Sequence, residues 1–494
     1  MEDDWTVNAN EAITIHLVRP GNDGISRIAS FHPKFTYPIF GEDETIFGYK
    51  NLSIILQFDA RDLRPNLSVK FSKKFKKVDD IEAIPIQDTM SKFLPDVAFQ
   101  NLDNYSNALE SLPSTWTPPG NLVRTRMKNG EIYEIWHGTL NMPDVFQLMK
   151  RIQILILFYI EGGSYIIEPE KALPDDSFNR WSLYVMYKKN VSPNAEESTY
   201  VFQGFATTYK FWMFEPKSVS ASLDKQKASD WELPTGQSNE GMIHRLRISQ
   251  FLILPPFQGR GIGAMLYDTI FDRAIKSPTT REVTVEDPNE DFDVLRDICD
   301  LKYLRKRVPE FARLKINTAV PIPPKKGVLR HTTHFSFWDG TQTKEPLIDT
   351  EMLEKIRVQK KIAPRQFWRL VEMHLMSKLP DSVRPRTDAE AKKPKARPED
   401  THVYNQWRLI LKQRLYRRNV AVLGEFALEE RIAKLNETVS NVEWDYARTL
   451  ERLESKPTVS GDPAVSDGKR KLMDQMDKAD EMDTDIPASK KARF

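Results

Sequence analysis

Cysteine is almost missing from this chain: Cys299 is the single thiol in 494 residues. One cysteine excludes an internal disulfide and a cysteine-rich zinc site. Standing in a charged segment of helical spacing, it reads as a small residue rather than a nucleophile. An excess of one charge is missing too. The 72 basic and 70 acidic residues leave a formal net charge of +2, so no global field points to nucleic acid or a membrane. The longest apolar run, Ile154 to Ile160 with its neighbours, falls far short of the ~20 residues that span a bilayer. The acidic opening Met1-Glu2-Asp3-Asp4-Trp5 lacks the basic start of a signal peptide, and the expectation is a soluble intracellular protein. No metal is expected either: His331-x-x-His334 has no third ligand nearby, and on a strand the two would point to opposite faces. Glycine is sparse, at 20 residues, yet three fall at alternate positions in one stretch.

That stretch, Arg247 to Tyr267, organises the chain. It begins with Arg247-Ile248-Ser249-Gln250-Phe251-Leu252-Ile253-Leu254, which has the length and composition of a buried strand. Pro255 and Pro256 end it, because neither can donate to a sheet ladder. Gly259, Gly261 and Gly263 follow, and then a helical pattern through Met265, Leu266, Thr269, Ile270, Arg273 and Ala274. A glycine loop between strand and helix brings backbone N–H groups together at a helix N-terminus, a ready site for phosphate. Three phosphate-loop readings compete with a plain glycine-rich turn. A P-loop is excluded, since no Lys-Ser/Thr follows the glycines. The dinucleotide fingerprint is met in relaxed form by Gly259-x-Gly261-x-x-Ala264, with Glu286 ending the next strand. That fingerprint starts almost directly after its strand, whereas Pro255-Pro256-Phe257-Gln258 intervene here. The third reading is the acyl-CoA loop Gln/Arg-x-x-Gly-x-Gly/Ala of the GNAT acetyltransferases, matched by Gln258-Gly259-Arg260-Gly261-Ile262-Gly263.

The wider pattern decides among them. Ser249-Gln250-Phe251-Leu252-Ile253-Leu254-x-Pro256-Phe257-Gln258-Gly259 is followed by Val285-Glu286-Asp287-Pro288, and Phe40-Gly41-Glu42-Asp43-Glu44-Thr45-Ile46-Phe47-Gly48-Tyr49-Lys50 stands near the N-terminus. Together these resemble the catalytic subunits of the type B histone acetyltransferases, a GNAT family, in their fungal form. The resemblance covers residues 10 to 320 well and the C-terminal helices less specifically. It implies an α+β fold: a GNAT core with a mixed, mostly antiparallel sheet and flanking helices, an N-terminal α/β domain and a C-terminal helical region. The expected division is 1–140, 141–318, 319–454, and a disordered tail over 455–494.

The chain in order agrees with that outline. Ile13 to Val18 and Leu52 to Phe58 read as strands, Asp80 to Phe99 and Leu102 to Leu112 as helical. Residues 143 to 160 form one strongly apolar helix ending at Glu161-Gly162-Gly163, with glycine as its cap. Trp181 to Tyr187 and Tyr200 to Phe214 are strands. Glu215 to Gly241 is a polar loop long enough to suggest function or disorder. Glu286 to Asp300 holds seven acidic residues and one basic one, a negative patch beside the glycine loop. Thr332 to Trp338 reads as a strand. Ala363 to Leu379 and Tyr404 to Leu453 are amphipathic helices, and Pro380 to Glu399 between them reads as a charged linker. Lys469-Arg470-Lys471 and Lys490-Lys491-x-Arg493 resemble a bipartite nuclear signal.

The resemblance also implies chemistry. Acetyl-CoA is the cosubstrate, lying along Phe251, Leu252 and Ile253, with its pyrophosphate on Gln258 to Gly263 and a further contact at Asn289. A second contact, basic in relatives, is occupied here by Ile298 and is not carried over. Glu286, Asp287 and Glu161 are the candidate catalytic carboxylates. Adjacent strand residues point oppositely, so Glu286 and Asp287 share one proton only across a local turn, which Pro288 favours. Glu42, Asp43 and Glu44 face a histone tail, as do Trp181, Tyr209 and Phe211; Lys210 between the last two departs from the family and would repel a basic tail. The implied substrate is free histone, in particular the tail of histone H-four. The implied partner is a WD-repeat histone chaperone in a heterodimer, with no direct nucleic-acid or membrane contact, and the implied locations are cytoplasm and nucleus. A catalytically silent histone-binding scaffold is the alternative, and a nucleotide-dependent oxidoreductase a distant third. The glycine loop together with Glu286 favours the enzyme.

Overall fold

The computed structural model describes residues 5–21, 24–168, 170–191, 198–213, 242–320, 346–388 and 394–455. The polar loop 215–241, the expected strand 332–338 with His331 and His334, and both terminal basic clusters lie outside them. Near the N-terminus, β1 (Ile13–Gly21), β2 (Gly24–Phe31), β3 (Ser53–Asp59) and β4 (Pro65–Lys70) form a sheet in the order β2-β1-β3-β4. Pairing is antiparallel except between β1 and β3. Alternate residues Ile13, Ile15 and Leu17 are buried, as a half-covered strand requires.

A second sheet has six strands: β5 (Asn121–Lys128), β6 (Glu131–Thr139), β7 (Trp181–Val191), β8 (Ser198–Trp212), β9 (His244–Ile253) and β10 (Thr280–Val285). They run in the order β10-β9-β8-β7-β6-β5, antiparallel throughout except for the parallel pair β9 and β10. That pair is joined by α3 (Ile262–Lys276), since parallel neighbours need a crossover. Between β6 and β7 lie α1 (Pro143–Ile152) and α2 (Ile154–Tyr159). The expected single helix is thus divided at Gln153, whose buried amide exchanges hydrogen bonds with the backbone of Ile167, Nε2 to O at 2.9 Å and N to Oε1 at 3.3 Å. A backbone bond from Phe202 N–H to Ala60 O (2.8 Å) ties β8 to the end of β3, and one from Lys34 N–H to Phe158 O (2.9 Å) ties the segment after β2 to α2.

The C-terminal part packs on α4 (Glu290–Arg307) through α5 (Pro364–Ser377) and α7 (Leu428–Glu454), with α6 (Pro398–Arg418) laid against those two. The helical pattern expected to run from Tyr404 to Leu453 is broken, with a short helix Val420–Gly424 between α6 and α7. The stretch expected to be a linker is packed along part of its length. Ser382 donates to Asp400 (2.8 Å), and Arg384 pairs with Glu454 (2.9 Å). Further upstream, Leu102–Glu110 is helical, but Asp80 to Phe99 is reduced to Ile86–Ser91 and a short 3-10 turn, Asp96–Phe99.

Candidate active site

β10 stops pairing where Val285 faces Ile248, and the Glu286 N–H closes the ladder on the Ile248 carbonyl at 2.9 Å. β9 runs on to Ile253, bonded among the described residues to β8 alone, from Gln250 opposite Thr207 to Ile253 opposite Gly204. Its other edge over Ser249–Ile253 is therefore open beside the point where β10 departs. Gln258 Nε2 donates to the Ile253 carbonyl at 2.7 Å. An open strand edge offers backbone donors and acceptors to an extended ligand.

The loop that follows behaves as its glycines require. Gly259 and Gly261 have φ of +74° and +73°, a region that side chains rarely enter. Gly261 is the N-cap of α3, and no side chain caps that helix end, so its first N–H groups stay available for an anion. Gly263 serves packing: a Cβ there would meet Leu295 at 3.1 Å. The Lys128 ammonium lies over Gly261, where a Cβ would collide with it. Burial, and then Lys302 nearby, push its pKa down. Among the sequence-predicted anion contacts, Asn289 has a structural task, since its Oδ1 accepts from Phe292 N at 2.9 Å as the N-cap of α4.

Glu286 sits at the end of β10 with its side chain 39% exposed. Ser249 Oγ donates to its Oε2 at 2.5 Å, and an Arg247 guanidinium nitrogen lies 3.1 Å from Oε1. Ser249 is the extra residue of a bulge, because Thr207 pairs with Gln250 and Thr208 with Ile248. Asp287 takes φ +31°, the turn expected before Pro288, and is exposed. Glu161 is exposed as well, and its loop is fixed to β9: Gln250 Nε2 donates to Ser164 O at 2.9 Å. The same loop is tied to the acidic turn, since Gly162 N–H donates to the Tyr37 hydroxyl (2.8 Å) and Tyr37 N–H to Glu44 (3.1 Å). Glu44 is thereby a structural residue. The Thr36 N–H, ahead of Asn10 and Tyr37, holds its pKa below the usual carboxylate value. Glu42 and Asp43 remain exposed.

Aromatic residues line the adjoining surface. Trp181 pairs across the sheet with Tyr209, their ring centroids 4.7 Å apart, and Phe211 follows at 4.9 Å. Lys210 alternates to the other face, where its charge is felt by His137 and His244; it does not oppose the aromatic strip. Arg247 joins the strip to the carboxylate: its guanidinium stands 4.5 Å from the Phe211 ring as well as against Glu286. Arg247 and Ser249 stand against the candidate carboxylate Glu286, and Gln250 against the loop of Glu161; the motifs include all three within the central stretch but assign them no role. The alternation of Arg245, Arg247 and Ser249 between apolar residues was the available signal.

The expected negative patch is smaller than its sequence. Asp297 and Asp300 are buried at 0% and 1% exposure, facing the C-terminal helices. Asp293 is half-buried there too, within the charge field of Arg369. Glu290 is exposed, 3.8 Å from Arg448. Among the described residues no group of three or more acidic, histidine or cysteine side chains is arranged to hold a metal ion.

Comparisons with known proteins converge on one family. Residues 5–161 match the family model described as histone acetyl transferase HAT1 N-terminus, and residues 333–380 match fungal HAT1, C-terminal. The chain is 42% identical to a Gibberella zeae protein over 100% of its own length and 99% of the relative's. A Neurospora crassa protein is 38% identical over 100% and 98%, and a Pyricularia oryzae protein 40% over 99% and 98%. All three bear the name histone acetyltransferase type B catalytic subunit. A solved Bacillus halodurans structure covers 40% of this chain and 97% of its own at 10% identity, and its TM-score of 0.17 carries no argument.

Proposed function

Because the chain belongs to the histone acetyltransferase type B catalytic-subunit family, we propose that it moves the acetyl group of acetyl-CoA onto a lysine of free histone within a GNAT core made by the six-stranded sheet and α3. That it is an acetyltransferase enzyme with histone as substrate follows from the family; the carrier, the residues and the steps are the proposal. The observation that carries it is the gathering of an open strand edge, an uncapped helix N-terminus and a half-exposed carboxylate beside an aromatic strip. These suit an extended chain bearing amides, a pyrophosphate and a lysine respectively.

A lysine ammonium has a pKa near 10.4, so at pH 7 only about one in 10³ is neutral, a cost of ~4–5 kcal/mol. Glu286 is the base that accepts its proton, oriented by Ser249 and Arg247. Acetyl-CoA supplies the thioester carbonyl: the N–C bond forms there, the C–S bond breaks, and the thiolate leaves to take up a proton. Asp287 and Glu161, both exposed near the site's rim, are its secondary carboxylates. Trp181, Tyr209 and Phe211 give the aliphatic stem of the lysine and its neighbours an apolar surface, while Glu42 and Asp43 attract the basic tail. We extend the reading to histone H-four as the tail, a WD-repeat histone chaperone as partner, and both cytoplasm and nucleus as locations. Incubation with radiolabelled acetyl-CoA and separated core histones, followed by mapping of labelled lysines, tests it. Label in one N-terminal tail is expected; no label on any histone overturns the reading.

A further inference from the structure

Beyond this site, a cavity opens where the N-terminal sheet meets the glycine loop. Its volume is ≈ 200 Å³. Arg19 of β1, Arg27 of β2, Lys188 of β7 and Arg260 of the loop converge on it, with Phe257 and the buried Gln203. Among the described residues no carboxylate is in the lining. Glu131 neutralises Lys188 at 2.5 Å and its charge also reaches Arg260, but among the described residues no carboxylate lies within ion-pair distance of Arg19, Arg27 or Arg260. The Arg260 guanidinium is held in place by the Pro256 carbonyl at 3.1 Å and by the Phe257 ring at 5.6 Å. Gln203 is the bulge residue between Phe202 and Gly204; its side-chain amide nitrogen donates to Val201 O, and its backbone carbonyl accepts from Leu254 N–H at the start of the loop.

Scattered surface arginines are ordinary, but three guanidinium groups from three separate segments around one concavity repel each other unless an anion joins them. Guanidinium forks match phosphate oxygens in pairs. The space is below the roughly 300 Å³ at which whole-ligand pockets begin. It excludes an entire coenzyme and admits a phosphoryl group.

We propose that this cavity is a phosphate-recognition site, taking a terminal phosphomonoester dianion between Arg19, Arg27 and Arg260. Two sources share that chemistry. One is the 3′-phosphate of acetyl-CoA, reached through Arg260 of the loop; this source rests on the acyl-carrier reading above. The other is a separate compact phosphate.

The test compares the wild-type chain with Arg19→Gln/Arg27→Gln, two exposed positions remote from the carboxylates, after confirming equal thermal melts. Calorimetry measures acetyl-CoA, 3′-dephospho-acetyl-CoA and inorganic phosphate. The expected result is that the wild type prefers acetyl-CoA over the dephospho form by about tenfold, a charge-assisted contact's worth. The double variant should lose that preference and bind the dephospho form as the wild type does. If both carriers bind alike but inorganic phosphate binds the wild type about tenfold better than the variant without competing with acetyl-CoA, the separate source is the right one. If the variant keeps every wild-type affinity, the cavity is no phosphate site. Failure of the wild type to bind either carrier would instead sink the acyl-carrier reading, and the inorganic-phosphate arm would still decide the cavity.

Discussion

Helix α4 has carboxylates at both of its borders, and they live in opposite conditions. On the side of the C-terminal helices, Asp297 meets Arg369 at 2.6 Å and Gln366 at 3.0 Å, and Asp300 accepts from Tyr267 at 2.8 Å and Gln366 at 3.1 Å. One layer out, the buried Glu372 lies between Arg414 at 2.6 Å and the Tyr446 hydroxyl at 2.8 Å. Burial pushes Asp300 up to about 6 and raises Asp297 and Glu372 as well. At the N-terminal border Glu286 stays 39% exposed beside an unpaired strand edge. A strongly shifted pKa is the usual pointer to a functional group, and here it points to the side of the helix away from the proposed site. The shifted carboxylates have spent their hydrogen-bonding capacity on protein and leave no room for a substrate. Spare capacity at an accessible place is what the proposed site has and the buried carboxylates lack.

The two sides are mechanically joined. Val283 N–H bonds to Lys361 O at 2.8 Å, and Lys361 Nζ reaches the last carbonyls of α3, Ala274 at 3.1 Å and Ile275 at 2.8 Å. The C-terminal region thus braces the strand that ends in Glu286, and mutations on either side should separate bracing from chemistry.

The largest effect is expected at the glycine loop. Gly261→Asp should weaken acetyl-CoA binding beyond about 100-fold, because a carboxylate at the N-terminus of α3 repels the pyrophosphate and draws in Lys128. Calorimetry on a folded variant with unchanged affinity would remove the loop from the site. On the buried side, Arg369→Met strands Asp297 without its cation and should cost about 3–5 kcal/mol in urea unfolding, with kcat per folded molecule nearly unchanged. A stable variant with collapsed kcat would make the network part of the chemistry.

A pH series sharpens the same contrast. Asp300 has a folded pKa of about 6 against about 3.9 unfolded, so the folded state holds the extra proton between those values. Stability conferred by this group is therefore present at low pH and lost as pH rises through that window. The unfolding free energy of wild type minus Asp300→Asn should fall from about pH 4 to about pH 6 and then level off; a flat difference would contradict the burial argument. The smallest effect belongs to the exposed turn. KM for a lysine-rich tail peptide should rise a few-fold with salt, and Glu42→Gln/Asp43→Asn should blunt that rise. Equal KM values throughout would discard the acidic turn as a docking element.

Strand, glycine loop and helix were legible because each has a local cause: an apolar run, two prolines, alternate glycines, then 3.6-residue spacing. What sequence could not show depends on distant partners. Apolar spacing continues smoothly through residues 143 to 160, so the break at Gln153 is visible only once Ile167 is opposite it. Seven acids in a row of fifteen read as a surface patch until α5 brings Gln366 and Arg369 to Asp297 and Asp300. Glu44 looked like its neighbours Glu42 and Asp43, yet its left-handed backbone, φ +50°, turns it inward to the N–H groups of Thr36 and Tyr37. The bulge at Ser249 and the bridging place of Arg247 follow from register against β8, which no single strand encodes.

The central claim is that Glu286, and not the strongly shifted carboxylates behind α4, takes the proton. The most direct measurement is a pH–rate profile for wild type, Glu286→Gln, Asp287→Asn and Glu161→Gln with a histone-tail peptide at saturating acetyl-CoA. Loss of a general base costs about 10²–10⁴ in rate. Glu286→Gln should lower kcat by that range at pH 7, leave acetyl-CoA affinity nearly unchanged, and recover as rising pH frees the lysine. Asp287→Asn should be the mildest lesion and Glu161→Gln intermediate. Near-wild-type kcat in Glu286→Gln at pH 7, with collapse in either of the others, would contradict the account.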